Sequence, residues 1–167
     1  MDSARLENIG EQCCVLNVQD CANSVAVVAS PEGVIAVYLG LELPPRTGSP
    51  AARKMASRAA KQIEQYLAGR RQHFDVPLLL DDLTEFQRTI LTACRNIPYA
   101  QTRSYSRLAQ EARVGASAAR AVGGALARNP IPIIIPCHRV LRANGALGGF
   151  GGGLDWKRRL LGIEGIS

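Results

Sequence analysis

Cys137 and His138 are neighbours in the chain and together have the chemistry of a nucleophile and its base. A thiol reacts as its thiolate, and an unperturbed cysteine has a pKa of ~8.5, so a neutral histidine that takes the proton, directly or through one water, activates it. A third group often orients such a base, and Glu164 is a candidate whose position the spacing alone does not fix. The alternative is a buried cysteine beside a partly exposed histidine.

Two features around this pair favour the reactive interpretation. The run PIPIIIP, residues 130–136, precedes it and predicts a stiff, extended and buried segment that fixes the position of Cys137. The tract ANGALGGFGGG, residues 143–153, comes after it and surrounds Phe150 with glycines whose N–H groups are accessible. A planar ligand fits against that ring with hydrogen bonds from the main chain. A flexible linker is the alternative, but a linker seldom carries one central aromatic residue.

The remaining cysteines do not predict a disulfide framework or a metal site. The chain has five cysteines, an odd number without regular spacing: Cys13, Cys14, Cys21, Cys94 and Cys137. It has no C-x-x-C pair, and its two histidines are far apart. A ligand shared by Cys13, Cys14 and Cys21 remains an alternative to buried thiols in the first strands. We therefore expect no metal.

The basic residues are concentrated in the second half of the chain. Residues 1–82 hold 8 Lys and Arg against 10 Asp and Glu, a net charge of −2. Residues 83–167 hold 12 against 4, a net charge of +8, and 11 of those 12 cations are arginine. Arginine suits phosphate and base contacts, so the pattern predicts a nucleic-acid partner. A basic solvated surface without a partner is the alternative.

The first half reads as strands followed by one helix. CCVLNV, SVAVVAS and VIAVYLG are rich in Val, and PEG marks a turn between the last two. A helical pattern begins at Ala51 and ends at Gly69, and residues 70–82 form a connector. One face of that helix is predicted to be core: Met55, Ala59, Ile63, Tyr66 and Leu67.

The second half reads as helices. Thr84 and Gln87 predict a capping box for a helix that Pro98 ends, with Cys94 in its core stripe. A short helix follows at 104–112, and Ser117 is the expected cap of a third, AARAVGGALARN. The last helix, DWKRRLLGIE, has Trp156 and its leucines as core.

The second and third of these helices resemble a helix-turn-helix. The third is thin because it carries Gly123 and Gly124 among alanines, at a cost of roughly 1 kcal/mol per glycine. Close approach of another backbone would compensate, either a packed neighbour or a DNA strand. Arg120 near its start and Arg128 at its end project from this helix.

These elements predict an α+β fold: a small N-terminal antiparallel sheet with a helix, and a mainly helical C-terminal domain with a helix-turn-helix and an active-site loop. The domains are expected at 1–82, including the connector, and 83–167. The beginning, MDSARLENIG, has no signal-peptide pattern, and no stretch approaches a membrane span, so a cytoplasmic protein without membrane contact is expected.

The stretch from Phe86 to Glu164 resembles the O6-alkylguanine-DNA alkyltransferases. The matching pieces occur in the family's order and spacing: FQRTIL, IPYAQTRSYSRLA, ARAVGGALARNP, IPIIIPCHRV and GALGGFGGGLDWKRRLLGIE. P-C-H-R-V preceded by R-A-V-G and N-P is highly specific. The first half, ending in YLAGRR, is similar to the family's ribonuclease H-like N-terminal domain, but less distinctively.

The resemblance implies a role for each matched residue. Cys137 would accept the alkyl group, His138 would deprotonate it through a water, Glu164 would hold His138, and Asn129 would brace the active-site turn. The residues implied for DNA are Tyr105 on the target phosphate, Arg120 in the base stack, and Ser104, Ala119, Gly123 and Arg128. The implied guanine pocket is Val140, the Cys137 carbonyl, Phe150 and Gly151, with Tyr105.

The resemblance also implies a DNA repair protein that flips O6-alkylguanine out of double-stranded DNA and reacts once. It implies no cofactor and a monomer, with cooperative binding on DNA left open. Two departures bear on substrate range and the local turn. Ala100 stands where many members have glycine, and Gly151 where some have a serine that donates to the guanine oxygen.

Two other functions remain as alternatives. A non-catalytic relative would bind alkylated bases without repair, but such relatives lack the acceptor cysteine. An unrelated cysteine hydrolase using Cys137 and His138 would turn over repeatedly and have no affinity for DNA, which the arginine-rich half argues against.

Overall fold

The computed structural model describes residues 13–20 and 23–166 of the 167-residue chain. Three antiparallel strands form one sheet in the order β1 (Cys14–Asp20), β2 (Asn23–Ala29), β3 (Val34–Leu39), as predicted. The central strand is buried, and Val25 pairs with Val18 on one side and Leu39 on the other. Cys21 lies outside the described residues.

One helix, α1 (Pro50–Leu67), packs on this sheet. Ser49 caps it by accepting a hydrogen bond from the Ala52 N–H at 3.2 Å, and Pro50 occupies the first turn, where its missing N–H costs nothing. Gly69 follows the last residues of the helix, and its φ of +69° suits a residue without a Cβ. Of the predicted core face, Ala59, Ile63 and Tyr66 are fully buried, whereas Met55 and Leu67 are half-buried at its edges.

The second half begins with α2 (Glu85–Arg95), whose capping box of Thr84 and Gln87 is confirmed. The helix-turn-helix follows as α3 (Tyr105–Glu111) and α4 (Ala119–Ala127). The expected Ser117 cap is wrong. Residues Ala116–Ala118 form a 3-10 turn, and Ala118 precedes α4 without any side-chain cap.

The expectation of an extended 130–136 segment is also wrong. Pro132 and Ile135 pair across a tight turn, and the Ile135 N–H donates to the Ile131 carbonyl at 2.9 Å. Ile133 in that turn has a φ of +72°, which is costly for a β-branched residue, about 1–3 kcal/mol. The isoleucines are buried, so packing holds the turn in place.

Two short strands and a helix complete the fold. β4 (Arg103–Ser104) and β5 (Val140–Leu141) pair in parallel, and α5 (Leu154–Ile163) buries Trp156, Leu160 and Leu161, as expected. The sheet and the helices share one hydrophobic core that runs from Val25 to Leu160. The Val37 N–H of β3 also donates to the Pro130 carbonyl at 2.8 Å. The α+β class is therefore confirmed.

No helix within 13–20 and 23–166 is long and apolar enough to cross a membrane.

Candidate active site

The thiol of Cys137 is held by the turn that precedes it. Residues Cys137–Arg139 form a 3-10 helix, and the Cys137 N–H donates to the Ile135 carbonyl at 2.8 Å. Val140 then enters β5, where it pairs with Arg103. The nucleophile therefore sits between a packed turn and a paired strand, which leaves its backbone little freedom.

Asn129 links this turn to the end of α4. Its Nδ2 donates to the Ile135 carbonyl at 3.0 Å and to the Cys137 sulfur at 3.1 Å, while its Oδ1 accepts from the Ile131 N–H at 3.0 Å. An asparagine amide supplies both donors and acceptors, so one side chain satisfies all three partners. These contacts are those expected of a brace, and they also give the sulfur a hydrogen-bond donor.

Cys137 is 6% exposed, and burial raises the pKa of its thiol to about 11 despite the opposing effects of the Asn129 donor and the Lys157 cation. At neutral pH only about one molecule in ten thousand then carries a thiolate. A base is needed to make this sulfur a nucleophile.

His138, the next residue, is fully buried. Its Nε2 lies 2.9 Å from Oε1 of Glu164. The structure thus places Glu164 beside His138, which the spacing in the sequence could not predict. Its Nδ1 is buried and has no hydrogen-bond partner within the described residues. Burial lowers the pKa of His138, with Glu164 opposing the shift, so the ring is neutral at pH 7 and able to take a proton.

Glu164 is buried and accepts hydrogen bonds from several parts of the chain. Arg139 donates through its Nη2 at 2.8 Å and its Nε at 3.0 Å, and the Ala100 N–H donates to Oε2 at 3.1 Å. Burial opposes ionisation of Glu164, but the donors His138, Arg139 and Tyr66 bring its pKa down to about 2. The carboxylate is therefore an anion at neutral pH, balanced by the Arg139 cation.

Sequence reasoning missed Tyr66, which lies on α1 and was assigned only to the core. Its hydroxyl donates to Oε1 of Glu164 at 2.5 Å and lies 3.1 Å from Nε2 of His138. A signal was present, because a phenolic hydroxyl in an otherwise apolar buried stripe needs a partner. The partner is 98 residues away in the chain, which no local pattern indicates.

Two cations in the site were also missed. Arg139 is 5% exposed, and its Nη1 donates to the Ile97 carbonyl at 2.6 Å. Lys157 on α5 is fully buried, and its Nζ donates to the carbonyls of Val140 (2.7 Å), Leu147 and Gly149 (3.4 Å). Burial lowers the pKa of Lys157 to about 8. The lysine fastens the glycine-rich loop to β5.

The glycine-rich loop packs against Tyr105 and α4. A Cβ on Gly148, where φ is +65°, would lie 2.7 Å from the Tyr105 hydroxyl oxygen, so a side chain there would displace the Tyr105 ring. A Cβ on Gly151 would lie 3.4 Å from the Ala127 carbonyl at the end of α4. Phe150 is half-buried beside them. Burial, and secondarily the nearby Cys137 thiol, raise the pKa of Tyr105.

The face of α4 that carries small residues borders Tyr105 and the glycine-rich loop. Arg120, Gly123, Gly124 and Ala127 have the i, i+3, i+4, i+7 spacing of one helical face. Gly123 borders the Tyr105 ring, and a Cβ added there would lie 3.7 Å from the nearest ring carbon, so a packed neighbour accounts for that glycine. At Gly124, which is exposed, the described residues leave the Cβ position open to 4 Å. Arg120 is exposed on the same face.

The other residues expected at DNA lie around this face. Ser104 caps α3 by accepting from the Arg107 N–H at 3.1 Å, Ala119 opens α4, and Arg128 is exposed at its end. Val140 is fully buried behind the loop. Cys13 and Cys14 are buried, and the described part of the chain holds no cluster of three His, Cys, Asp or Glu side chains suited to a metal.

Comparisons with known proteins agree with this geometry. A family model described as the DNA binding domain of 6-O-methylguanine DNA methyltransferase matches residues 85–166. A methylated-DNA–protein-cysteine methyltransferase of Mycolicibacterium paratuberculosis is 47% identical over 122 residues, 72% of each chain. One from Methanothermobacter thermautotrophicus is 40% identical over 145 residues, 86% of this chain and 80% of the relative. A crystal structure of Mycobacterium tuberculosis OGT in complex with DNA superposes with a TM-score of 0.77 at 38% identity, covering 89% and 90% of the two chains.

Proposed function

The chain belongs to the methylated-DNA–protein-cysteine methyltransferase family, and on that premise we propose that Cys137 accepts the alkyl group of O6-alkylguanine in double-stranded DNA. The contacts around the sulfur support this assignment. A nearly buried thiol that accepts a hydrogen bond from Asn129 and follows a strained turn is built for one exact position. The protein is a DNA repair protein that transfers the alkyl group to itself.

Activation of Cys137 requires the neighbouring His138. With Glu164 on Nε2, the Nδ1 lone pair of His138 is the free basic site, and one bridging water carries the thiol proton to it. The Glu164 anion then stabilises the imidazolium that forms. The Lys157 cation and the Asn129 donor stabilise the thiolate.

The transfer step is a displacement at carbon. The Cys137 sulfur forms a bond to the alkyl carbon while the bond from that carbon to guanine O6 breaks. The thiol loses one proton, and guanine gains one as it becomes the ordinary keto base. The product is a thioether, which offers no leaving group for a return step, so each molecule reacts once and requires no cofactor.

The base must leave the duplex stack to reach Cys137, at a cost of a few kcal/mol. Arg120 on the exposed face of α4 fills the gap left by the extruded base, and Tyr105 presses on the phosphate of the target nucleotide. Gly123, Ala119 and Ser104 let α3 and α4 approach the strand closely. Arg128 and the arginine excess of this half supply phosphate contacts, through the minor groove, where little base-specific readout is needed.

The extruded guanine binds between Val140 and the Phe150 loop, with the Cys137 carbonyl at one edge. The Gly151 N–H serves as the donor to guanine O6, because no side chain is available at this position. One copy of the chain carries every group named here, so a monomer suffices. A reactive thiol needs a reducing compartment, which supports a cytoplasmic location.

The observation that carries the proposal is a pair of contacts at two neighbouring residues: Asn129 donates to the Cys137 sulfur, and Nε2 of His138 lies against Glu164. It is tested by mixing the protein with duplex DNA containing O6-methylguanine and measuring its intact mass. We expect a gain of one methyl group in place of one hydrogen, on the peptide that contains Cys137, with a stoichiometry that stops at one. Cys137→Ser removes the gain, whereas Cys94→Ser, another buried thiol, keeps it.

Other outcomes identify the alternatives. Tight binding to alkylated DNA without any thioether indicates a non-catalytic lesion-binding protein. Repeated turnover of an ester or amide substrate without DNA affinity indicates a cysteine hydrolase. Either result overturns the proposal.

A further inference from the structure

We infer that Tyr66, from the sheet-bound helix α1, is a positioning residue that holds the His138–Glu164 pair in the arrangement needed for alkyl transfer; the inference rests on the proposed function. Tyr66 touches neither the sulfur nor the expected guanine pocket. It acts on the reaction through the base.

The three side chains form a closed triangle of polar atoms. Tyr66 Oη lies 2.5 Å from Oε1 of Glu164 and 3.1 Å from Nε2 of His138, and Nε2 lies 2.9 Å from the same Oε1. All three residues are buried, so no bulk water competes for these groups. In such surroundings each hydrogen bond has a defined direction.

The protons in the triangle follow from the ionised carboxylate. Glu164 can only accept, so the Tyr66 hydroxyl donates to it at the shortest distance in the group. The remaining lone pairs of Tyr66 then face Nε2 of His138. Nε2 is thus bordered by two acceptors and must carry the imidazole proton. That leaves Nδ1 unprotonated, which is the form that can take the proton of Cys137.

Glu164 alone is a weaker guide for the imidazole, because it is already engaged. Both of its oxygens accept from Arg139, and Oε2 also accepts from the Ala100 N–H. These bonds direct the carboxylate toward Arg139 as much as toward His138. Tyr66 counters that pull by fixing Oε1 and adding a second acceptor for Nε2–H.

The position of Tyr66 is itself fixed by packing. Its ring lies 5.5 Å from that of Phe74 and 6.4 Å, edge-on, from that of Tyr99, measured between centroids. The helix that carries it is anchored on the sheet by its buried face. The first half of the chain therefore contributes one polar atom to the site of the second half.

Four charged or titratable side chains face His138, and they come from three elements. Tyr66 is on α1, Glu164 follows α5, Lys157 is on α5, and Arg139 is in the same 3-10 helix as His138. Only Tyr66 can be reduced to an isosteric ring without adding or removing a charge. Tyr66→Phe is accordingly the informative variant.

The test compares Tyr66→Phe with Tyr99→Phe. Tyr99→Phe also loses a hydroxyl hydrogen bond, the half-buried 2.9 Å contact to the Ile163 carbonyl, but that bond does not involve His138 or Glu164. In single-turnover reactions with O6-methylguanine duplex, we expect Tyr66→Phe to slow transfer at saturating DNA about ten- to 150-fold, the scale of one hydrogen bond to a charged group. The DNA concentration for half-saturation should not change. Tyr99→Phe should transfer within about two-fold of the unmodified protein.

Nitrogen NMR of His138 in DNA-free protein supplies a reading independent of transfer. The unmodified protein should show one tautomer, protonated at Nε2, with a slowly exchanging proton close to the Tyr66 hydroxyl proton. In Tyr66→Phe, a fraction protonated at Nδ1 should appear or the Nε2 proton should exchange faster. Tyr99→Phe should leave both signals unchanged.

The outcomes separate the two proposals. Absence of methyl transfer by the unmodified protein defeats the proposed function, while the NMR result still decides whether Tyr66 orients His138. Unchanged His138 signals in Tyr66→Phe overturn the positioning role, even if transfer slows. Should Tyr66→Phe not fold, the unmodified protein remains decisive, because an Nδ1-protonated His138 there contradicts the inference.

Discussion

Two residues without glycine's freedom, Ile133 and Ala100, have a strained backbone near the site, and packing explains the strain at only one of them. Ile133 has a positive φ in the turn that presents Cys137, where packing holds it. Ala100 also has a positive φ, +59°, and it is exposed, so no side-chain packing explains it. Its N–H donates to Glu164, which explains why the turn has this shape but not why it carries a Cβ.

We therefore expect Ala100→Gly to stabilise the protein. Glycine adopts this conformation without the steric penalty of a Cβ. It also makes the unfolded chain more flexible, which offsets part of that benefit, so the net gain in the free energy of unfolding is about 1 kcal/mol. Ala112→Gly is the matched control, because Ala112 has an ordinary φ of −77° at the end of α3 and should lose stability instead. Urea unfolding measures both. A loss of stability in Ala100→Gly would contradict the strain argument.

Glu164 predicts a specific acid sensitivity. The folded state holds its pKa at about 2, against an ordinary value of 4.5. The unfolded chain therefore binds one more proton between those pH values, and about 3 kcal/mol of stability present above pH 4.5 is lost as the pH falls toward 2.

The measurement is the free energy of unfolding of the unmodified protein and of Glu164→Gln across pH 2 to 7. The variant leaves Arg139 without its anion, so it should be less stable at neutral pH. The difference between the two proteins should shrink as the pH falls through the 4.5 to 2 window. A difference that stays constant with pH would show that the carboxylate charge is not the source of the stability.

At the scale of elements, α4 has two glycines with different surroundings. Gly123 borders Tyr105, whereas a Cβ at Gly124 would meet nothing in the described structure within 4 Å. The protein alone therefore gives no packing reason for Gly124. A DNA strand against this face of α4 would give one.

Gly124→Ala should accordingly stabilise the free protein by up to about 1 kcal/mol through helix propensity, yet weaken binding to duplex DNA. Gly162→Ala on α5 is the control, since its Cβ position is also clear of the residues in 13–20 and 23–166 and it lies in a different helix. It should not affect DNA binding. Thermal melting and fluorescence anisotropy with labelled duplex make the comparison. If Gly124→Ala bound duplex DNA as tightly as the unmodified protein, the predicted contact between DNA and this face of α4 would be contradicted.

Local patterns predicted the elements well where neighbours in sequence decide the structure. Thr84 and Gln87 satisfy each other within one turn, so the start of α2 was predictable. Ser117 has the chemistry of a cap but lies in a 3-10 turn set by Gly115, so its prediction was wrong. The turn at 132–135 was missed because prolines and isoleucines indicate an extended segment, while its positive φ depends on packing.

The site was predictable only in part for the same reason. Cys137, His138 and Asn129 lie close together in the chain, and the motif that contains them is specific. Tyr66, Arg139 and Lys157 have roles set by partners far along the chain, and each had a plain local interpretation, as core or as surface charge.

At the scale of the whole molecule, the two halves differ in net charge, but both contribute side chains to one hydrophobic core. The cluster that contains Val25 and Ile63 of the first half also contains Leu91 and Leu160 of the second. A backbone hydrogen bond joins Val37 to Pro130, and Tyr66 reaches Glu164. Such sharing favours joint unfolding.

We expect a calorimetric scan to show one transition, with the calorimetric and van't Hoff enthalpies equal. Tyr66→Ala should lower the free energy of unfolding by about 3–5 kcal/mol, the cost of emptying an aromatic site in a core, and should keep the single transition. Two resolved transitions in the unmodified protein would indicate that the halves fold independently.

The order of residues along the chain gives the buried carboxylate a further consequence. Glu164 comes after every group that donates to it: Tyr66, Ala100, His138 and Arg139. During synthesis from the N-terminus the thiol therefore emerges from the ribosome before the anion that organises its base. In a nascent chain the Cys137 thiol lacks an oriented base. The protein becomes reactive only once α5 has packed and Glu164 has reached His138.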